Sequence, residues 1–159
     1  MIRIGKIYLV LGMGLFLGLA AFNNAITAPG TFGAVSFAVG METTFQDPKL
    51  MWRAISNPAV IWIGVIGIIL TEATAAFMCL WGAFRLWQVR ADTDAFNNSK
   101  TTAILGLSIT AIFFMIAFQV IVGEWFMLWQ NSEANQLNEA FRNFASAMLI
   151  MIWLNNTDT

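Results

Sequence analysis

Residues 57–87 read NPAVIWIGVIGIILTEATAAFMCLWGAFRLW. The stretch opens on Asn57, whose side chain can accept from a free helix amide, and on Pro58, which suits the first helical position. From there to Phe84 the only charged residue is Glu72. A helix crosses a bilayer core of about 30 Å with about 20 mostly apolar residues. The pattern therefore predicts a membrane-crossing helix over 59–87.

Working outward, similar runs predict crossings over 7–27 and 101–129. A shorter apolar run up to residue 154 predicts a fourth helix, whose start near Ser132 and Glu133 would supply a cap and an acid at the positive end of the helix dipole. The expected fold is an all-α membrane protein: a four-helix transmembrane bundle forming one domain over residues 1–159, with a long structured outer loop over 28–58. Composition agrees, because 58% of the 159 residues are apolar and 11% charged, against about 45–50% and about 25% in soluble domains. Most of the surface should face lipid. The first run, preceded by Arg3 and Lys6, also resembles a signal peptide, but its apolar core is long for one and no Ala-x-Ala site follows.

Several function classes are excluded. A net charge of -1 without a basic run gives no nucleic-acid footprint. With Cys79 the only cysteine and no histidine, a disulfide within the chain, a two-cysteine zinc site and bis-histidine haem are impossible. The methionines lie in apolar runs, where they fill gaps. No metal, cofactor or catalytic set is expected.

Positive charge near span ends stays on the cytoplasmic side. Arg3, Lys6, Arg85, Arg90 and Lys100 fall on one side; Lys49, Arg53 and Arg142 fall on the other, accompanied by Glu42, Asp47, Glu124, Glu133 and Glu139. Both termini are therefore expected in the cytoplasm. The aromatic residues fit the same layout, with Tyr8, Trp87 and Trp153 at one interface and Trp62, Trp125 and Trp129 at the other.

In the outer loop, Val, Phe and Thr mixed with glycine from Phe32 to Phe45 suggest short β segments. Asp47-Pro48 suggests the start of a short interfacial helix that would carry Trp52 and Arg53 as a contact surface. Within the spans, Gly67, Thr71, Ala75, Cys79 and Ala83 recur at every fourth residue, and Gly14 with Gly18 offers a matching ridge. Small residues let helices approach closely in lipid. This stripe suits packing within the bundle, or a homodimer seam.

Polar residues at membrane depth are the candidate site. An ionised Glu72 is costly in mid-span, so its neutral form is favoured there. It either hydrogen-bonds across helices, to Gln119 or to Asn23 or Asn24, or serves as a proton- or cation-binding group. Asn23, Asn24, Glu124 and Arg142 should share a height near the outer leaflet, with Glu124 and Arg142 as an ion pair that fixes geometry or as part of a pocket for a polar ligand or lipid head group.

Asn23-Asn24, Thr43-Thr44-Phe45, Trp52-Arg53-Ala54-Ile55, Glu72, Arg85-Leu86-Trp87, Gly123-Glu124-Trp125-Phe126, Trp129-Gln130 and Ala140-Phe141-Arg142 together resemble a bacterial family of predicted small integral membrane proteins classed as a domain of unknown function. The chain departs from that pattern at Ile26-Thr27-Ala28-Pro29, where the family carries an acid and a histidine, and at Glu42, where Asp is usual. The resemblance implies four helices in a bacterial inner membrane and no activity. The function expected from all of this is a non-enzymatic accessory or assembly subunit, working with the lipid bilayer and with other membrane subunits or a second copy of itself. The alternative is a small oligomeric transporter or channel that uses Glu72.

Overall fold

The computed structural model describes residues 1–131 and 135–159. Ser132 and Glu133, the expected start of the last helix, lie outside the described residues.

Helix α1 spans Ile2–Ile26, so Arg3 and Lys6 belong to the helix itself. Thr27 alone separates it from α2, Ala28–Gly40. The Thr27 amide and hydroxyl both donate to the Asn23 carbonyl, at 3.0 and 2.7 Å, and Pro29 in the first turn of α2 costs no helical hydrogen bond. The β segments expected from Phe32 onward are thus a helix in their first part, and no strand occurs among the described residues. The physical reason is that a helix satisfies its own backbone in apolar surroundings, whereas a strand needs a partner strand, and the loop provides none.

Helix α2 stops at Met41, which takes a left-handed conformation with φ of 57°. Its carbonyl accepts from the Thr44 amide, the Thr44 hydroxyl and the Gln46 side chain. Asp47 then starts only a short turn, and Met51–Arg53 forms a single 3₁₀ turn instead of a longer helix. The Ile55 amide donates to the Val39 carbonyl at 2.9 Å and pins the loop to α2.

Helix α3, Pro58–Gln88, starts as its sequence dictates, with Asn57 accepting from the Ala59 amide at 2.9 Å. A short α4, Thr93–Asn98, capped by Asp92, leads into α5, Thr101–Phe113. The helix continues as π-helix over Phe114–Trp125, closing with the Phe126 amide on the Ile121 carbonyl at 3.0 Å. A 3₁₀ turn, Leu128–Gln130, precedes α6, Leu137–Asn155. Among the described residues, three helices are long and apolar enough to cross a membrane: Ile2–Ile26, Pro58–Gln88 and the continuous Thr93–Trp125.

The bundle core lies where α3 packs between α1 and α5, with α6 against α5. Small residues decide it. A Cβ added to Gly82 would lie 2.6 Å from the Ala103 backbone nitrogen; one on Gly106 would lie 2.8 Å from the Cys79 nitrogen, and one on Gly14 3.0 Å from the Leu80 nitrogen. Backbones at these points touch directly. Of the expected stripe, Ala75, Cys79 and Ala83 are buried, but Gly67 is exposed and has nothing near it. Each four-residue step turns the face by about 40° at 3.6 residues per turn, so a stripe of five cannot stay on one interface.

Candidate functional site

The site forms where α1, α2, α3, the π-helical segment and α6 surround a cavity of about 500 Å³. Its walls are mostly apolar. Phe16 comes from α1, Phe37 from α2, Ile68 from α3, and Phe114, Ala117 and Phe118 from the π-helix. Phe32 packs against Trp62 with the rings tilted by 39°, Val35 lies against Gly64, and Val39 clusters with Ile61. Helix α2 therefore meets α3 within one turn and crosses it, which brings Ala34, Val35 and Ala38 over the cavity.

Glu72 stands in this cavity with 6% of its surface exposed. Asn24 Nδ2 donates to Glu72 Oε2 at 2.8 Å, and the Thr31 hydroxyl donates to the Asn24 carbonyl at 3.1 Å and to its Oδ1 at 3.4 Å. Asn24 is thus oriented from α2 and delivers its amide to α3. Of the three partners expected for Glu72, Asn24 is the one found. Gln119 donates instead to the Leu137 carbonyl at 3.1 Å, tying the π-helix to the start of α6. Asn23 is exposed and offers only its backbone carbonyl to Thr27.

The expected Glu124–Arg142 pair does not form. Arg142 bonds Glu139 one turn back on its own helix at 3.3 Å, with both side chains largely exposed, and Glu124 is exposed elsewhere. The π-helical segment and the 3₁₀ turn after it set α5 and α6 in a register that ideal helices would not give. Glu139 reaches the same cavity as Glu72, so two carboxylates line it, together with Gln136 and Asn143.

At the far end of the bundle from Trp62, Trp125 and Trp129 lies a charged cluster that sequence reasoning missed. Lys6 and Lys100 both donate to Asp158 Oδ2, at 2.8 and 2.7 Å, with all three side chains nearly buried. Both lysines also donate to the Asn156 carbonyl, and Asn97 bridges Lys100 to the Asp158 backbone. Burial by itself would raise the Asp158 carboxyl, but hydrogen bonds and charge from Lys100 and Lys6 outweigh it and hold it below its ordinary value. Arg3 donates to the Arg90 carbonyl, to Thr93 and to the Thr159 carbonyl, and Trp153 lies against Gly5. The two chain termini meet at one end of the bundle.

At the opposite end the outer-loop residues form a platform. The Arg53 guanidinium lies 4.6 Å from the centre of the Trp125 ring and 5.7 Å from that of Trp52. Its Nη1 donates to the Trp125 carbonyl at 3.4 Å, and Nη2 has no partner among the described residues. The loop is fixed here by the Phe45 amide on Gln130 at 2.9 Å and by Asn131 on Thr43 at 2.5 Å.

Among the described residues no group of acids and cysteine is arranged to hold a metal ion. The model of a family described as predicted small integral membrane protein (DUF2165) matches residues 2–157. No curated protein and no solved structure matches the chain.

Proposed function

Since the chain belongs to the predicted small integral membrane protein family, we propose that it works in the bilayer without catalysis, as an accessory subunit that docks a larger membrane complex through its outer face. The observation that carries this reading is Arg53, its guanidinium over the rings of Trp125 and Trp52 and its Nη2 without a partner among the described residues, beside Trp52 with 70% of its surface exposed. A stacked, oriented guanidinium next to a large aromatic is the composition that interface hot spots favour. Its partner surface would carry a carboxylate.

The topology that supports this is four crossings in a bacterial inner membrane with both termini cytoplasmic. Among the described residues three helices suffice in length and apolarity, and the return of Asp158 to Lys6 and Lys100 supports a further pass by α6. The end that gathers Arg3, Lys6, Arg90 and Lys100 is the cytoplasmic one by the positive-inside rule.

The experiment is a photo-crosslinking amino acid at Trp52 in native membranes. A discrete adduct that disappears with Arg53→Glu is expected. A chain that crosslinks to nothing and sediments alone in mild detergent overturns the reading. A second reading, a small transporter, is favoured by one observation, the Glu72 carboxyl facing the cavity. Flux in proteoliposomes that Glu72→Gln abolishes would support it, and unchanged flux removes it.

A further inference from the structure

The cavity around Glu72 is a polar-tipped, apolar-walled space at membrane depth. Its volume, about 500 Å³, lies within the range of small-ligand sites, about 300–1,000 Å³. Glu72 is more than nine-tenths buried. Its Oε2 accepts a hydrogen bond from Asn24; Oε1 has no hydrogen-bond partner among the described residues, and the Glu72 side chain lines the cavity. The Thr31 hydroxyl, 3.4 Å from Asn24 Oδ1, favours the amide orientation that serves Oε2.

The lining also has a sign. Glu72 and Glu139 both border the cavity, and among the described residues no Lys or Arg does. Glu139 is partly offset by Arg142, an exposed pair that screening weakens. Glu72 has no cation beside it. An anionic head would meet two acids here, whereas a cation would meet an acceptor oxygen and stabilise the ionised form of Glu72 that the bilayer alone disfavours, with the aromatic side chains of Phe114 and Phe118 in the same lining. Those same rings, with Phe16 and Ile68, leave the rest of the space suited to a hydrocarbon chain.

We infer that this cavity binds a membrane-borne amphiphile with a cationic ammonium head, the head on Glu72 Oε1 and the chain against Phe16, Ile68, Phe114 and Phe118. This stands apart from the docking of a partner on the outer face, because the residues do not overlap and either can fail alone. The ammonium chemistry is shared by free alkylamines and by phosphatidylethanolamine head groups.

The test uses the full chain in nanodiscs of phosphatidylcholine and phosphatidylglycerol, titrated with dodecylammonium, dodecanol and dodecanoate, with the heat of empty nanodiscs subtracted. Saturable binding of dodecylammonium at least about tenfold tighter than of dodecanol, with dodecanoate weakest, is expected. Glu72→Gln should bring the amine to the level of the alcohol, Ala117→Trp should remove both, and Glu124→Gln, outside the cavity, should change neither. Ala34→Leu serves as the filling variant where Ala117→Trp fails to fold, judged by the unfolding temperature. Competition by phosphatidylethanolamine added to the discs assigns the site to that head group; its absence assigns the site to free amines. Equal affinity for amine and alcohol, or a preference that survives Glu72→Gln in a folded protein, overturns the inference.

Discussion

Lys6 and Asp158 lie 152 residues apart in sequence and 2.8 Å apart in the fold, both side chains almost wholly buried. Lys100 shares the same carboxylate oxygen. Two buried ammonium groups therefore share one acid, with the Asn156 carbonyl as a further acceptor for both, and this ties the C-terminal segment to α1 and to the start of α5. Removing one partner of a buried pair typically costs about 3–5 kcal/mol, because the remaining charge stays buried. Asp158→Ala should lose at least the lower end of that range in an unfolding titration, and more than Glu139→Ala, whose pair with Arg142 is exposed and worth at most about 1 kcal/mol. Equal effects would show that the C-terminal clasp does not hold in solution.

The same clasp sets an acid limit. The Asp158 carboxyl is held below its ordinary value by Lys100 and Lys6 despite its burial, so the unfolded chain binds more protons and stability rises with pH in this region. The contribution is complete above the unfolded value of about 3.9 and is lost as pH falls through the lower folded value. Midpoints of unfolding measured between pH 3 and pH 6 should fall at the acid end, and Asp158→Asn should flatten that fall.

How much of this was legible differs from place to place. The start of α3 was written in Asn57 and Pro58, because capping is local chemistry, and the direct approach of α1 to α3 was written in Gly14 and Gly18. Thr27 and the helix beyond it were not: Val, Phe and Gly serve either structure, and packing across Ile61 to Gly64 decided for helix. The Asn24 partnership was one of three readings of Glu72, and only the fold could choose. Lys6, inside an apolar run, and Asp158, next to the C-terminus, offered a faint signal as charges without local partners. Their pairing depends on α1, the start of α5 and the end of α6 meeting at one end of the bundle. Glu124 and Arg142 were misjudged because the π-helix and the turn after it alter the register that uniform helices would give.

Close backbone contact predicts a sharp contrast between glycines. A side chain at Gly82 meets the main chain of Ala103, which cannot yield as a flexible side chain would. Gly12 has open space. Gly82→Val should therefore cost several kcal/mol, beyond the about 1–3 kcal/mol usual for overpacking, while Gly12→Val stays close to the parent. Thermal unfolding in detergent compares them directly.

At the outer platform the stacked geometry of Arg53 is testable apart from its charge. Arg53→Lys keeps the cation and loses the planar group that lies over Trp125 and Trp52. A loss of about 0.5–1 kcal/mol is expected for an exposed cation–π contact. The more sensitive readout is tryptophan fluorescence. Its change should be as large for Arg53→Lys as for Arg53→Ala, since both remove the guanidinium from the rings.

The chain from Thr31 through Asn24 to Glu72 predicts an order of effects inside the membrane. Asn24→Ala removes the donor to Glu72 Oε2, whereas Glu72→Gln keeps an oxygen that can accept it. Leaving a buried acceptor unmet costs about 1–3 kcal/mol in soluble proteins, but interhelical hydrogen bonds in bilayers average about 0.6 kcal/mol, because groups in the unfolded membrane state also find partners. The second figure governs here, since Oε2 can turn toward the cavity. Asn24→Ala should thus lose about 1 kcal/mol or less, and Glu72→Gln should be nearly neutral for stability. Thr31→Val should cost less than Asn24→Ala, because that hydroxyl divides its donation among Asn24 O, Asn24 Oδ1 and Thr27 O. Unfolding by a denaturing detergent, with the Glu72 carbonyl stretch followed by infrared difference spectroscopy, separates the cases: the band should shift in Asn24→Ala and less in Thr31→Val. An unshifted band in Asn24→Ala would remove the hydrogen bond on which the orientation of Glu72 depends.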